Sequence, residues 1–521
     1  MKTDIIDTIL GIDIGTSLIK TNLYSLDGRH LVTASQRNVL THERPKWVEY
    51  DMEEIWVKAK TCIGVILNKT DANRIRIIGI GITGQGDGTW LIDEHLNPVR
   101  PAISWLDGRT GEMVLDLHKS GVSKSVFDIT GTSINQSNQA VHLSWLIKHE
   151  PESIRKSYKV LRAKDWIFLK LTGKVSTDTS DASYTYFDIK KNIYDDRILD
   201  LHGISECEHL LPEVLHPRGN ISKIKKDVAG ELGLNTDIPV VSGPVDMSSS
   251  ALGLGIIEPG QSNTILGTAG IHQVLITDPP GPPVNAGYTI SHIVEGVWLR
   301  VLPSMTGTLN LQWFIKKLYG YSETVQKNID WETIEQKVRQ VPVGSYGIMY
   351  HPYIDPAGER APFMNPAARA QFSGLNIHHS KEALLHAVYE GVALSALDCY
   401  SSLPSYSEEI RLAGGGSRSE LWSQMLADAL GRRVRHVLEK ETGTKGAMIN
   451  TAVALGIYKT YEEAVKDTVI PGEKFDPSSE NHRKYSELLK IFRNTYKAMT
   501  PIWQELNNFS EQSLMTTLTR K

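Results

Sequence analysis

Apolar residues alternate with turn residues through the first hundred positions in the manner of short buried strands. Thr8-Ile9-Leu10-Gly11-Ile12-Asp13-Ile14 is apolar and β-branched, Gly15-Thr16-Ser17 supplies a turn, and Ile19 to Tyr24 runs back. The chain is therefore predicted to open on antiparallel strands, with Asp27-Gly28 setting a second tight turn before the next one. Ile75 to Ile80 is a further buried-strand pattern, and Trp90-Leu91-Ile92-Asp93 follows a glycine-rich turn. Helix-like and strand-like segments alternate throughout, which predicts a mixed α/β architecture. Near the middle the opening pattern begins again. Gly260 to Leu266 leads into Gly267-Thr268-Ala269-Gly270, and Ile271 to Ile276 returns. A strand, a Gly-Thr turn and a second strand near the start of each half point to a duplicated domain, with the boundary near residues 245–257. Pro-rich Asp278 to Pro283 reads as a loop within the second half. From about Glu505 the chain is polar and is expected to fray.

Each Gly-Thr turn brings backbone N–H groups and hydroxyls to a strand end without bulky side chains, which suits phosphate oxygens. Asp13, beside the first turn, is placed to hold a Mg²⁺-bound water. Alone, Asp13 to Ser17 is better read as a hairpin with a strand-end aspartate; recurrence at Gly267-Thr268 is what favours two turns gripping one polyphosphate. Ile410 to Ala413 reads as a strand running into Gly414-Gly415-Gly416, after which Leu421, Met425 and Ala429 share a helical face closed by Gly431. A helix start behind three glycines presents free N–H donors to a nucleotide's phosphates and ribose. Asp246 follows the strand Ile238 to Val241 and Gly243-Pro244, and precedes Met247-Ser248-Ser249-Ser250-Ala251. A carboxylate there either takes the proton of a substrate hydroxyl during phosphoryl transfer or caps a helix, and the sequence leaves both open. In Gly84-Gln85-Gly86-Asp87-Gly88-Thr89-Trp90, Gln85, Asp87 and Thr89 stand on a glycine-rich loop. Amide and carboxylate groups there suit a polyhydroxylated ligand, although a bulged hairpin accounts for the same residues.

Several chemistries are excluded. No G-x-x-x-x-G-K-[ST] string is present, which removes a P-loop NTPase. Gly79 to Gly84 has the G-x-G-x-x-G spacing, but turn and strand residues follow it where a dinucleotide site needs a helix. The 17 histidines form no H-x-x-x-H or H-E-x-x-H pattern, against a zinc site. The net charge of −4 carries no like-charged block, which argues against nucleic-acid or polybasic membrane partners. No apolar run reaches the ~18–20 residues of a membrane span. Cys62, Cys207 and Cys399 are far apart and odd in number, and the first residues lack a secretory pattern, so a cytoplasmic protein is expected. At 521 residues the chain has room for two to four domains.

An ordered series of these motifs resembles the FGGY carbohydrate kinases over roughly residues 9–460. It comprises Gly11 to Ser17, Trp47-Val48-Glu49-Tyr50-Asp51, Gly81 to Gln85, Gly243-Pro244-Val245-Asp246, Leu266 to Gly270, Gly414 to Trp422, and Phe372-Ser373-Gly374-Leu375 through Ala387-Val388-Tyr389-Glu390. The resemblance implies an α/β protein of two ribonuclease-H-like (actin-like ATPase) domains with the active site in the cleft between them. Residues 1–247 would bind substrate, residues 248–500 the nucleotide, and 501–521 would be a polar tail. It implies Asp13 near Mg²⁺, Thr16 and Ser17 at the first phosphate motif, and Gly267 and Thr268 at the second. Gly414, Gly415 and Ser419 would bind the nucleotide, with Gly307 a looser match on the ribose side. Asp246 would be the general base and a substrate contact, with Gln85 and Asp87 touching substrate hydroxyls. The implied reaction is ATP-dependent phosphorylation of a primary hydroxyl of a small polyol or ketopentose, by a soluble enzyme that is allowed to be a homodimer.

Two departures from the family pattern refine this. His142 stands where the family's N-terminal signature usually has lysine, and Ser137 or Asn138 replaces the aromatic contact of glycerol kinases. The loop Gly84 to Trp90 is most similar to that of erythritol kinases and their L-xylulose-kinase-like relatives. Erythritol is therefore the first expectation, xylulose or L-xylulose the second, and a non-kinase actin-like ATPase regulator an alternative of another class.

Overall fold

The computed structural model describes residues 5–71, 74–318 and 330–518. The chain divides into two compact units. Met1–Pro259, Leu275–Arg300 and Glu439–Ile470 form the first, and Gly260–Val274, Val301–Leu438 and Pro471–Lys521 the second.

The first unit is built on a six-stranded sheet of β1 (Ile6–Ile14), β2 (Leu18–Ser25), β3 (His30–Arg37), β4 (Ile75–Gly84), β5 (Ile221–Lys223) and β6 (Pro239–Ser242), in the order β5-β6-β4-β1-β2-β3. The first three strands are antiparallel, as the two turn signals predict; β4 joins β1 in parallel and β6 joins β4 in parallel. Ile9, Leu10, Ile12 and Ile14 of β1 are all fully buried, because a central strand covered on both faces has no polar side to alternate with. Helix α1 (Met52–Lys69) covers one face against β2 and β3. Asp51 caps its start by accepting the N–H groups of Glu53 and Glu54, and Ile55, Ala59, Cys62, Ile63 and Ile66 recur at helical spacing toward the sheet.

The other face is closed by a helix from far along the chain, Thr442–Ala454, which packs on β1 and β4. The approach is close because the strands carry glycine there. A Cβ at Gly11 would come 2.6 Å from the Thr444 carbonyl oxygen, and one at Gly81 would come 2.5 Å from that of Ala447. Gly79 and Gly81 thus serve helix–sheet packing inside β4, not a dinucleotide turn. The sequence division places residues 439–470 in the second half, whereas in space they complete the first unit. The first segment runs on through Asp246–Gly253, a helix packed against Thr442–Ala454, to Pro259.

The second unit repeats the plan. β7 (Ser262–Leu266) and β8 (Gly270–Ile276) form an antiparallel hairpin, β10 (Glu409–Ala413) lies parallel to β7, and β11 (Arg433–Val437) parallel to β10. β9 (Trp298–Ser304) follows β8 in the sheet order, and β12 (Pro471–Phe475) closes the edge beyond β11. Hairpin, then parallel, then parallel is the ribonuclease-H-like order expected of each half. The C-terminal segment departs from the expected tail boundary at residue 501, since Trp503 is buried, while Leu506 and Phe509 beyond it are exposed. A helix spans Ser479–Leu518, because Tyr485, Leu489, Phe492, Tyr496 and Trp503 form a buried stripe along it, Trp503 only 1% exposed. Cys62, Cys207 and Cys399 are buried free thiols, and no helix among the described residues is long and apolar enough to cross a membrane.

Candidate active site

In the first unit the predicted acidic residues come together at the strand ends. Asp13 lies at the end of β1, in register with Lys20 of β2 and Thr83 of β4. Its Oδ1 is buried and has no hydrogen-bond partner among the described residues, and a Cβ at Gly443 would come 2.7 Å from Oδ2. Loss of hydration, more than Lys20 offsets and with Glu441 adding repulsion, pushes this carboxyl up to about 6. A buried carboxylate oxygen without a donor is the kind of group a hard cation satisfies.

Asp246 is the first residue of Asp246–Gly253, and its Oδ1 accepts the Met247 N–H at 2.7 Å. The cap position belongs to Val245, so the side chain is not the N-cap that the sequence left open. Burial pushes Asp246 up to about 8, with Asp13, Asp181 and Asp87 adding their repulsion. A carboxyl surrounded by acids and poised near neutrality is suited to taking a proton from an alcohol.

The loop after β4 carries Gln85 and Asp87. Gln85 accepts at Oε1 from the Thr16 hydroxyl at 2.8 Å and from Tyr50 at 3.3 Å, and the Trp105 indole N–H donates to Thr16 Oγ1 at 2.7 Å. The Thr16 hydroxyl, expected at phosphate, therefore ties the first turn to the Gln85 loop here, while Ser17 is exposed at the turn. Asp87 is held in the left-handed region at φ 56, and its N–H donates to the Tyr184 hydroxyl. Gly88 donates to the Ser137 carbonyl at 3.2 Å, and Gln139 donates to the Gly88 carbonyl at 3.0 Å. His142, expected at the family's lysine position, is fully buried. Burial lowers it to about 4, so the ring is neutral: it donates from Nε2 to the Gln136 carbonyl and accepts at Nδ1 from Thr89.

Behind this loop lies a charged cluster that sequence reasoning missed. Asp165, Asp178 and Asp181 bring their carboxylates within metal-binding proximity of one another. The Lys164 ammonium already serves all three, at 2.7, 2.5 and 2.9 Å. Arg162 lies 3.6 Å from Asp181, donates to Thr185 at 2.8 Å, and stacks over the Tyr184 ring at 5.0 Å. The one available signal was the Lys164-Asp165 pair beside the apolar run Trp166 to Leu169; Asp178 and Asp181 stand in a Ser/Thr-rich stretch that gave none. Trp105 and Tyr184 gave no signal beyond their aromatic character.

The second unit assembles the predicted phosphate and nucleotide elements. Gly267 to Gly270 turns between β7 and β8, and Gly307 backs it: a Cβ there would come 2.5 Å from the Gly267 oxygen and 2.6 Å from that of Thr268. The Thr308 N–H donates to the Gly267 carbonyl at 2.8 Å. Gly414, at φ 94, packs against the Leu266 backbone, where a Cβ would come 2.6 Å from its oxygen, and Gly416 packs on the Leu266 side chain. Gly415 faces open space, which leaves its backbone approachable. The helix start lies one 3₁₀ turn further on than the sequence suggests, at Glu420, with Ser419 as its cap accepting the Trp422 N–H at 3.0 Å.

Comparison with known proteins bears on the family and the fold. Residues 8–253 match the N-terminal domain, and residues 262–455 the C-terminal domain, of the FGGY family of carbohydrate kinases. The chain is 30% identical over 508 residues to erythritol kinase of Brucella abortus (strain 2308), covering 96% of this chain and 98% of that protein. It is 28% identical to L-xylulose/3-keto-L-gulonate kinase of Escherichia coli (strain K12), covering 94% and 97%. The fold superimposes on gluconate kinase from Lactobacillus acidophilus with a TM-score of 0.88 at 23% identity, over 96% of this chain and 100% of that one. With two ribonuclease-H-like units and both family domains matched in order, this chain belongs to the FGGY family of carbohydrate kinases.

Proposed function

We propose that the chain phosphorylates a primary hydroxyl of a short polyol or ketopentose, with erythritol the preferred acceptor and Asp246 the general base. The observation that carries this is the acidic group of Asp13, Asp87 and Asp246 in the first unit, in which burial, with repulsion from the neighbouring acids added, poises Asp246 near neutral pH. Kinases of this family use ATP as phosphate donor, and the approachable backbone at Gly415 beside the Gly267-Thr268 turn suits its phosphates. Gln85 and Asp87 would hold acceptor hydroxyls, and Asp246 would take the proton of the attacking one as its oxygen bonds to the γ-phosphorus and the ADP oxygen leaves. Asp13 fits Mg²⁺ through its buried, undonated oxygen. When bound, the cation neutralises phosphate charge and draws nearby carboxyls toward their ionised form. The loop resemblance, with 30% identity to an erythritol kinase and 28% to an L-xylulose/3-keto-L-gulonate kinase, supports reading erythritol ahead of L-xylulose and xylulose.

A panel of four- and five-carbon polyols and ketoses, scored by ADP release with ATP and Mg²⁺, tests the proposal. Release is expected with erythritol well above the other acceptors and near zero without acceptor. Release that does not depend on any acceptor would overturn the reading, and preference for L-xylulose or xylulose would replace erythritol.

The same carboxyls predict a pH effect on stability. Both Asp13 and Asp246 are raised in the fold above the ordinary value of about 3.9. The folded state thus holds extra protons between that value and about 8. Their stabilisation is full below the unfolded value and lost as pH rises through the folded ones. The ligand-free Tm is therefore expected to fall between pH 5 and pH 9 by more in the wild type than in Asp246→Asn, read by differential scanning fluorimetry. Parallel curves for the two proteins would contradict the assignment of Asp246.

A further inference from the structure

The backbone of Asp87 and the backbone just before Asp246 are both anchored to a single short helix, Thr179–Tyr186. Near its start, Ser180 accepts at Oγ the N–H of Val245, the residue immediately before Asp246, at 2.9 Å. One helical turn later, Tyr184 accepts the N–H of Asp87. A turn of α-helix rises about 5.4 Å, so Ser180 and Tyr184 fix the two backbone anchors at a set separation. The helix is itself immobilised. Asp178 caps it by accepting the Ser180 N–H at 2.8 Å, and Lys164 pins Asp178 and Asp181 from beneath.

The phenol is also fitted to the loop. A Cβ at Gly86 would overlap the Tyr184 hydroxyl and come 2.8 Å from Val245 Cγ2, so the loop can carry no side chain at that position while Tyr184 is present. Tyr184 therefore sits wedged between the Asp87 loop and the residue that leads into Asp246. Its ring lies under the Arg162 guanidinium, and burial pushes its hydroxyl well above the ordinary phenol value, so it remains a neutral hydrogen-bonding group.

We propose that Tyr184 is a positioning residue that sets the spacing between the Asp87 and Asp246 carboxylates, and thereby the length of polyol chain the enzyme accepts. This rests on the reading of Asp87 as a hydroxyl-binding group and Asp246 as the base.

Tyr184→Phe keeps the ring, its packing and its stacking with Arg162, and removes only the oxygen that accepts from Asp87. The test is steady-state kinetics of wild type, Tyr184→Phe, Asp87→Asn and the double variant, with erythritol and with five-carbon polyols, each protein's fold checked by thermal melting. Tyr184→Phe is expected to raise the acceptor KM about 10-fold while the KM for ATP stays within about 2-fold, the loss of one hydrogen bond felt at a single site. The ratio of four- to five-carbon kcat/KM should shift by about 5-fold or more, and the double variant should be no worse than Asp87→Asn alone, because the two residues act as one unit. A uniform drop in kcat for every acceptor with both KM values unchanged, or losses that simply add in the double variant, would overturn the proposal. Absence of acceptor-dependent turnover in the wild type would overturn the function itself, and that outcome is visible before any variant is made.

Discussion

Asp246→Asn is expected to melt at or above the wild-type temperature and to lose about 10²–10⁴ in kcat, on the order of 3–5 kcal/mol of barrier. The amide keeps an oxygen for the Met247 N–H, so the first turn of the helix retains its local contact. It cannot accept the proton of an alcohol. The substitution also removes one of the mutually repelling acids, since Asp13, Asp181 and Asp87 all act on position 246, which is why stability is not expected to suffer. Acceptor-dependent ADP release over a pH series is the measurement. The wild type should lose kcat/KM as pH falls through the pKa of its base, and the variant's small residual rate should lack that limb. Near-full activity in a correctly folded Asp246→Asn protein would remove the base from the mechanism.

Lys164→Met is expected to produce the largest loss of stability. Lys164 is completely buried and its ammonium answers three buried carboxylates, with Arg162 a second cation beside Asp181. Deleting one partner of a buried ionic group leaves uncompensated charge and costs about 3–5 kcal/mol, which lowers Tm by on the order of 10 °C. The deficit should shrink at low pH. Burial already pushes Asp181 upward with Lys164 in place, so without the lysine the carboxyls can relieve their repulsion by taking up protons. Thermal melts at pH 5 and pH 8 check both parts. A variant that melts like the wild type at pH 8 would mean the cluster is dispensable. The expected loss also reaches the chemistry, because the same lysine pins Asp178, and through the cap the helix that anchors Val245 and Asp87.

Much of the architecture was legible in the residues. The hairpins at Gly15 to Ser17 and Gly267 to Ala269 followed from turn chemistry between apolar runs, and the helix closed by Gly431 followed from its periodicity and its glycine cap. The acidic candidates Asp13 and Asp246 were legible because each stands where a strand ends. Three features were not legible, each for a physical reason. Lys164, Asp165, Asp178 and Asp181 look in sequence like surface charges, since only the fold reveals that they neutralise one another in the interior. Tyr184 reads as a core aromatic, because its role depends on a glycine 98 positions away making room for its hydroxyl. The placement of Thr442–Ala454 was hidden because it is buried nearly all round: with no exposed face, its pattern does not say which sheet it covers.

That last helix has a consequence for how the protein is made. The face of the first sheet that carries Gly11 and Gly81 is covered by residues 442–454, yet its strands are complete by Ser242. During synthesis the nascent chain therefore holds a glycine-notched, apolar surface bare until residues 442–454 have left the ribosome, the kind of exposure that invites capture by neighbours. Folding of the amino-terminal unit cannot finish before most of the carboxy-terminal one has been translated, and a gene cut between the two family domains would yield an amino-terminal product with no lid for its own core.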